Sequence, residues 1–154
     1  MIYPLWCTCR PDKFKKVFPI WKERANNPNE IELRICVDTV EQAQQLLEYP
    51  FVRISGAKKR GVCWPAYCLT HDLTPKNNDI IVFASDDFVP PQKWDTFISE
   101  QLKDDNGVLV VQDGYQQPNA EVLTIPIMNG GAFKKMNKII YNPVYNHLWC
   151  DVEA

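Results

Sequence analysis

Five consecutive apolar residues, Ile80-Ile81-Val82-Phe83-Ala84, run directly into Ser85-Asp86-Asp87. The run has no alternation of apolar and polar side chains, so a strand built from it must be covered on both faces. Cover of that kind comes from helices packed on a mostly parallel sheet, which makes this the central strand of an α/β layer fold. The flanking segments fit the same scheme. Residues 2–8 predict a first strand, ended by Arg10-Pro11. Phe14, Val17, Phe18 and Trp21 then recur at helical spacing, with Pro19 inside the pattern, which predicts a kinked helix or two short pieces. Residues 31–37 alternate, Ile31, Leu33, Ile35 and Val37 against Glu32, Arg34 and Cys36, as in a strand with one more polar face.

Asp38 ends that strand, and Thr39-x-x-Gln42 has the form of a capping box opening a helix with Val40, Ala43, Leu46 and Leu47 inward. A short strand at 51–54 leads into the basic loop Ser55-Gly56-Ala57-Lys58-Lys59-Arg60-Gly61, and a helix follows from about Trp64 to Thr74-Pro75. Pro90-Pro91 starts a helix with an inner stripe of Trp94, Phe97, Ile98 and Leu102. Val108 to Val111 predicts another buried strand, Val122 to Ile127 a further one, and Asn129-Gly130-Gly131 a loop before a last helix. The tail from Tyr141 to Ala154 is aromatic, which would favour a homodimer if exposed.

Composition narrows the function classes. The chain has 154 residues, 45% of them hydrophobic, enough for one domain with a real core and too many for a disordered tail. No apolar run approaches the roughly 20 residues of a membrane span. A formal charge of -2 argues against a partner held by phosphate neutralisation along nucleic acid. The first residues lack a basic leader followed by an apolar stretch, so the expected location is the cytoplasm. The six cysteines, Cys7, Cys9, Cys36, Cys63, Cys68 and Cys150, lack the paired C-x-x-C knuckles of a zinc site and read as reduced thiols packed as small hydrophobes.

Asp38, Ser85, Asp86, Asp87 and Asp113 all fall just past the carboxyl ends of predicted strands, the edge where open α/β sheets bind ligands. Adjacent carboxylates such as Asp86-Asp87 repel unless solvated, capped or neutralised by a cation. Oxygen donors suit Mg²⁺ or Mn²⁺ rather than zinc. On the pair alone, a solvated turn whose acids cap the next helix is the favoured reading.

The ordered set of motifs resembles the nucleotide-sugar half of GT-A glycosyltransferases, the family-2-like group with small viral and bacterial members. Thr8-Cys9-Arg10-Pro11, Asp38, the run Asp79 to Phe88 with Pro90-Pro91 and Trp94-Asp95, Ile125 to Gly131, and Trp149-Cys150-Asp151 stand in that family's order along nearly the whole chain. The resemblance implies a single GT-A domain over residues 1–154, a Rossmann-like three-layer sandwich with a mixed, mainly parallel sheet. It implies a UDP-linked sugar as donor, a hydroxyl as acceptor, and Mn²⁺ or Mg²⁺ as cofactor. Thr8, Arg10 and Pro11 would border the nucleotide, and Asp38 would hydrogen-bond the base. Ser85 stands where many members carry a first aspartate, Asp86 would lie near the ribose or sugar, and Asp87 would ligate the metal. Asp151 would be the general base of an inverting transfer, with only three residues after it. Lys58 and Arg60, with Lys59, lie where a loop could approach phosphates. His147 does not occupy the place of the metal-ligating histidine found in relatives. Two other readings keep the fold: a nucleotide-sugar-binding module that has lost transfer, or an oligomeric interaction domain with solvated acidic loops.

Overall fold

A computed structural model describes residues 1–56, 61–103, 106–111 and 125–144. In chain order these form β1 (Ile2–Cys7), α1 (Pro11–Glu23), a 3₁₀ turn (Pro28–Glu30), β2 (Arg34–Val37), α2 (Val40–Gln44), β3 (Val52–Ile54), α3 (Cys63–Thr70), β4 (Ile80–Ala84), α4 (Trp94–Gln101), β5 (Val108–Leu109), β6 (Ile127–Asn129) and α5 (Gly130–Lys135). Among the described residues the strands make one sheet in the order β3-β2-β1-β4-β6-β5. The first four run parallel, and β6 is antiparallel to both β4 and β5. This is the mixed, mainly parallel α/β sheet expected. Among the described residues no helix is long and apolar enough to cross a membrane.

Alternation along the strands makes two cores. Ile2 and Trp6 of β1, Ile35 and Val37 of β2, and Ile80 and Val82 of β4 face Phe14, Phe18 and Trp21 of α1 and Trp94 and Ile98 of α4. Leu5, Cys36, Ile81 and Phe83 face Cys63, Ala66 and Leu69 of α3 and Phe133 of α5. All five residues of β4 are buried, as a two-sided strand requires. Trp6 is the hub of the first core, edge-on to Phe14 at 5.1 Å and to Trp21 at 5.3 Å between ring centroids.

Several expectations change. The α1 helix is unbroken from Pro11 to Glu23, because Pro19 lies on its exposed face, where the missing N–H costs least. The strand expected over 31–37 pairs as β2 only from Arg34, with Ile31 making an isolated bridge to Ile2. Cys36 on its supposedly polar face is buried, because α3 covers that face. The Thr39–Gln42 capping box is present, but α2 ends after five residues. Leu46 is buried while Val40 and Leu47 are 54% and 79% exposed, since so short a helix offers one inward turn. Phe97 is exposed beside the buried stripe of Trp94, Ile98 and Leu102, which are spaced by four. The buried strand expected over 108–111 is a two-residue edge strand with Val108 and Val110 outward. The strand expected over 122–127 lies partly outside the described residues, and β6 extends to Asn129, whose side chain caps α5 by accepting from the Ala132 N–H.

Candidate functional site

Strand register assembles the site. Trp6 lies opposite Ala84, so two residues further on Thr8 reaches the level of Asp86. Cys7 lies opposite Cys36 and Val37 opposite Ile54, which sets Asp38 beside Ser55. Chain segments far apart in sequence thus meet at the carboxyl edge of β1, β2, β3 and β4.

Asp86 is the anchor of this edge. It is 3% exposed, and both its oxygens are engaged. Oδ1 accepts the Trp6 indole N–H at 2.7 Å. Oδ2 accepts the Thr8 hydroxyl at 3.1 Å and the Arg10 Nε–H at 3.0 Å. The cause is local: the indole that centres the aromatic core carries an N–H needing a partner, and the carboxylate that supplies it needs a cation. The Thr8 hydroxyl also accepts the Arg10 backbone N–H at 2.9 Å, fixing the start of α1. Asp86, expected near a ribose or sugar, is thus turned into the protein.

Asp87 is the opposite case. It is more than half exposed, with Oδ2 receiving Arg10 Nη2 at 2.9 Å and Oδ1 paired with Lys13 Nζ. The Lys13 ammonium and the Arg10 guanidinium hold its carboxyl below the usual range. The Asp87 contact likewise raises Arg10. The Ser85 hydroxyl donates to Asp87 Oδ2 at 3.4 Å and accepts the Asp87 backbone N–H at 3.3 Å, a small turn that leaves the carboxylate facing outward.

Asp38 is half-buried and accepts the Ser55 hydroxyl at 3.2 Å, while its N–H donates to the Gln42 side chain at 2.9 Å. Gln42 in turn donates to the Cys9 carbonyl at 3.0 Å, tying the β1 and β2 exits together. Asp38 lines a cavity of about 400 Å³ with Thr8, Cys9, Cys36 and Val62. A neighbouring cavity of about 540 Å³ is lined by Arg10, Pro11, Asp12, Lys13, Lys16 and Gln45, and Cys9 belongs to both. Trp64, on the α3 side, donates its indole N–H to the Ser55 carbonyl at 3.0 Å.

Thr8, Arg10, Asp38, Ser85, Asp86 and Asp87 are therefore brought to one edge, with Pro11 at the first turn of α1. Lys58, Arg60 and Asp151 lie outside the described residues, as do Lys59, Asp113, His147 and Trp149. Trp6, Lys13, Ser55 and Gln42 join the site without having been anticipated as parts of it. Pro11 as a first helical residue places Lys13 on the opening turn of α1, but the sequence carries no signal that sets it opposite Asp87. Five cysteines, Cys7, Cys9, Cys36, Cys63 and Cys68, are free thiols. Burial pushes Cys36 up to about 12 and Cys7 well above its ordinary value, which makes both poor nucleophiles.

Among the described residues no three His, Cys, Asp or Glu side chains converge on a metal position. Asp87 offers one exposed carboxylate, a hard oxygen donor. Mg²⁺ and Mn²⁺ are commonly held by one or two carboxylates completed by substrate phosphates and water, and Asp87 fits that pattern.

No protein-family model matches the sequence, and no curated protein matches it. Solved structures do match in fold. TarS 1–349 of S. aureus in complex with UDP aligns over 98% of this chain and 53% of its own, with a TM-score of 0.66 at 15% identity. A longer S. aureus TarS structure aligns over 98% of this chain and 32% of its own, with a TM-score of 0.65, and TarS 1–349 alone over 92% and 50%, with a TM-score of 0.61. The chain spans about half the length of TarS 1–349. The chain shares its fold with these TarS structures, a mixed, mainly parallel α/β sheet with helices on both faces, as expected of its fold class.

Proposed function

We propose that this chain binds a nucleoside-diphospho-sugar, UDP-linked, and transfers the sugar to an acceptor hydroxyl. The observation that carries the reading is the convergence of Thr8, Asp38 and Ser85-Asp86-Asp87 at the carboxyl edge of four parallel strands. The UDP bound in TarS 1–349, a chain of the same fold, supports the choice of nucleotide.

In this reading the base enters the cavity beside Asp38, whose second carboxylate oxygen accepts an imino N–H of the base while Ser55 orients the first. The buried Asp86 holds Trp6, Thr8 and Arg10 in fixed positions and so shapes the nucleotide floor without touching the donor. Asp87 would hold a Mg²⁺ or Mn²⁺ ion, which supplies charge stabilisation at the diphosphate as it leaves. Asp151 would take the proton of the acceptor hydroxyl as its oxygen attacks the anomeric carbon, with inversion. Such a carboxylate is a modest base, and positioning of the two reactants supplies much of the acceleration.

The test is release of UDP from a panel of UDP-sugars with Mn²⁺ or Mg²⁺. The expected result is turnover that Asp151→Asn abolishes while donor affinity is kept. A second reading, a nucleotide-sugar-binding module, is favoured by Ser85 in the first acidic position, and it gives donor binding with no turnover in the unaltered chain. Absence of both binding and turnover removes both readings.

A further inference from the structure

Two cations share the single outward carboxylate of the acidic turn, and only one of them is committed elsewhere. Arg10 is pinned through Nε to the buried Asp86 and has a structural duty whatever binds at the surface. Lys13 meets only Asp87 among the ion pairs of the described residues. One turn further along the same face of α1, Lys16 enters no ion pair among the described residues, whereas the adjacent Lys15 is paired with Glu48. Arg10, Lys13 and Lys16 line the 540 Å³ cavity against one acid, Asp12, leaving it a surplus of positive charge beside the cavity that holds Asp38.

Resting on the nucleotide-sugar reading, we propose that Lys13, with Lys16 behind it, is a diphosphate-binding residue. The Lys13 ammonium leaves Asp87 when the donor arrives and pairs with a phosphate oxygen. The exchange is balanced in charge. Asp87 is released to a divalent cation at the moment when the ammonium that neutralised it gains a new anionic partner. A flexible four-carbon stem with three donors suits such a move, and Lys13 is already 41% exposed in side chain, so little desolvation opposes it. Arg10, swinging away in the same manner, would leave the buried Asp86 carboxylate with only the neutral donors Trp6 and Thr8. The division of labour between the two cations follows from burial: Arg10 positions, and Lys13 binds.

The test is calorimetric titration of the full chain with UDP in the presence of Mg²⁺, for the unaltered protein, Lys13→Met and Lys13→Arg. Loss of one charge-assisted contact predicts UDP binding about tenfold weaker in Lys13→Met, with recovery of most of the affinity in Lys13→Arg and only the slight change in melting temperature expected of an exposed ion pair. Binding of Mn²⁺ without nucleotide, followed by its electron paramagnetic signal, should tighten in Lys13→Met because a competitor for Asp87 is gone. Unchanged UDP affinity in Lys13→Met, with the unaltered protein binding UDP, overturns the role of Lys13 and leaves the functional reading standing. Failure of the unaltered protein to bind any of UDP, GDP, CDP or dTDP overturns both.

Discussion

Adjacent aspartates in this chain do different work because one is buried and the other is not. Asp86 accepts from Trp6, Thr8 and Arg10, so its removal leaves a buried indole N–H without a partner and the Arg10 Nε–H without its carboxylate, although Arg10 keeps Asp87. Asp86→Ala should therefore cost about 2 kcal/mol of stability in urea denaturation, a loss typical of leaving a buried donor unpaired. Asp87→Asn, at an exposed position, should shift the urea midpoint little and instead remove the metal dependence of donor binding. The same geometry fixes a pH response. Lys13 and Arg10 lower the Asp87 carboxyl below its ordinary 3.8 in the folded chain, so their stabilisation is present above that value and is lost as pH falls through the folded one. In Lys13→Met the Asp87 carboxyl should titrate closer to 3.8, as followed by carboxyl NMR shifts. A titration identical to that of the unaltered protein would contradict the pairing.

At the scale of elements, what the sequence displayed most openly was β4, whose unbroken apolar run admits one interpretation once length and flanks are considered. The capping box was equally open, because Thr39 and Gln42 sit at the spacing that satisfies two helix N–H groups reciprocally. Thr39→Ala should lower stability by about 1 kcal/mol, read from thermal unfolding. Edge elements were harder. Val108 to Val111 has the composition of a core strand yet lies at the sheet margin, and nothing in four consecutive residues encodes how many neighbours a strand will have. The Asn129-Gly130-Gly131 segment looked like a loop and is a strand end fused to a helix start. Its reason is steric: a Cβ on Gly130 would come within 1.9 Å of the Lys76 carbonyl oxygen, so only glycine lets α5 begin against that backbone. The Gly130 N–H donates to the Asp79 carbonyl at 2.7 Å, holding the approach closed. Gly130→Ala should cost at least about 2 kcal/mol by chemical denaturation, and a loss under half of that would mean the junction relaxes freely.

For the whole molecule, the order β3-β2-β1-β4-β6-β5 decides where ligands can sit, because the parallel half delivers four strand exits to one edge. The individual acids were legible from the chain, since each follows an apolar segment. Their division into an inward anchor and an outward carboxylate was not, because it depends on Trp6 placing its N–H eighty residues away in sequence. Lys13 was hidden for a similar reason: a lysine on an opening helical turn is ordinary until register sets an aspartate opposite it. The central claim, that this edge takes a nucleoside diphosphate, is tested most directly by titrating the chain with UDP, GDP, CDP and dTDP sugars, each with Mn²⁺ and with chelator. The account predicts binding of the UDP class, strengthened by Mn²⁺ and weakened in Asp38→Ala. Absence of binding by all four classes in both conditions would contradict it.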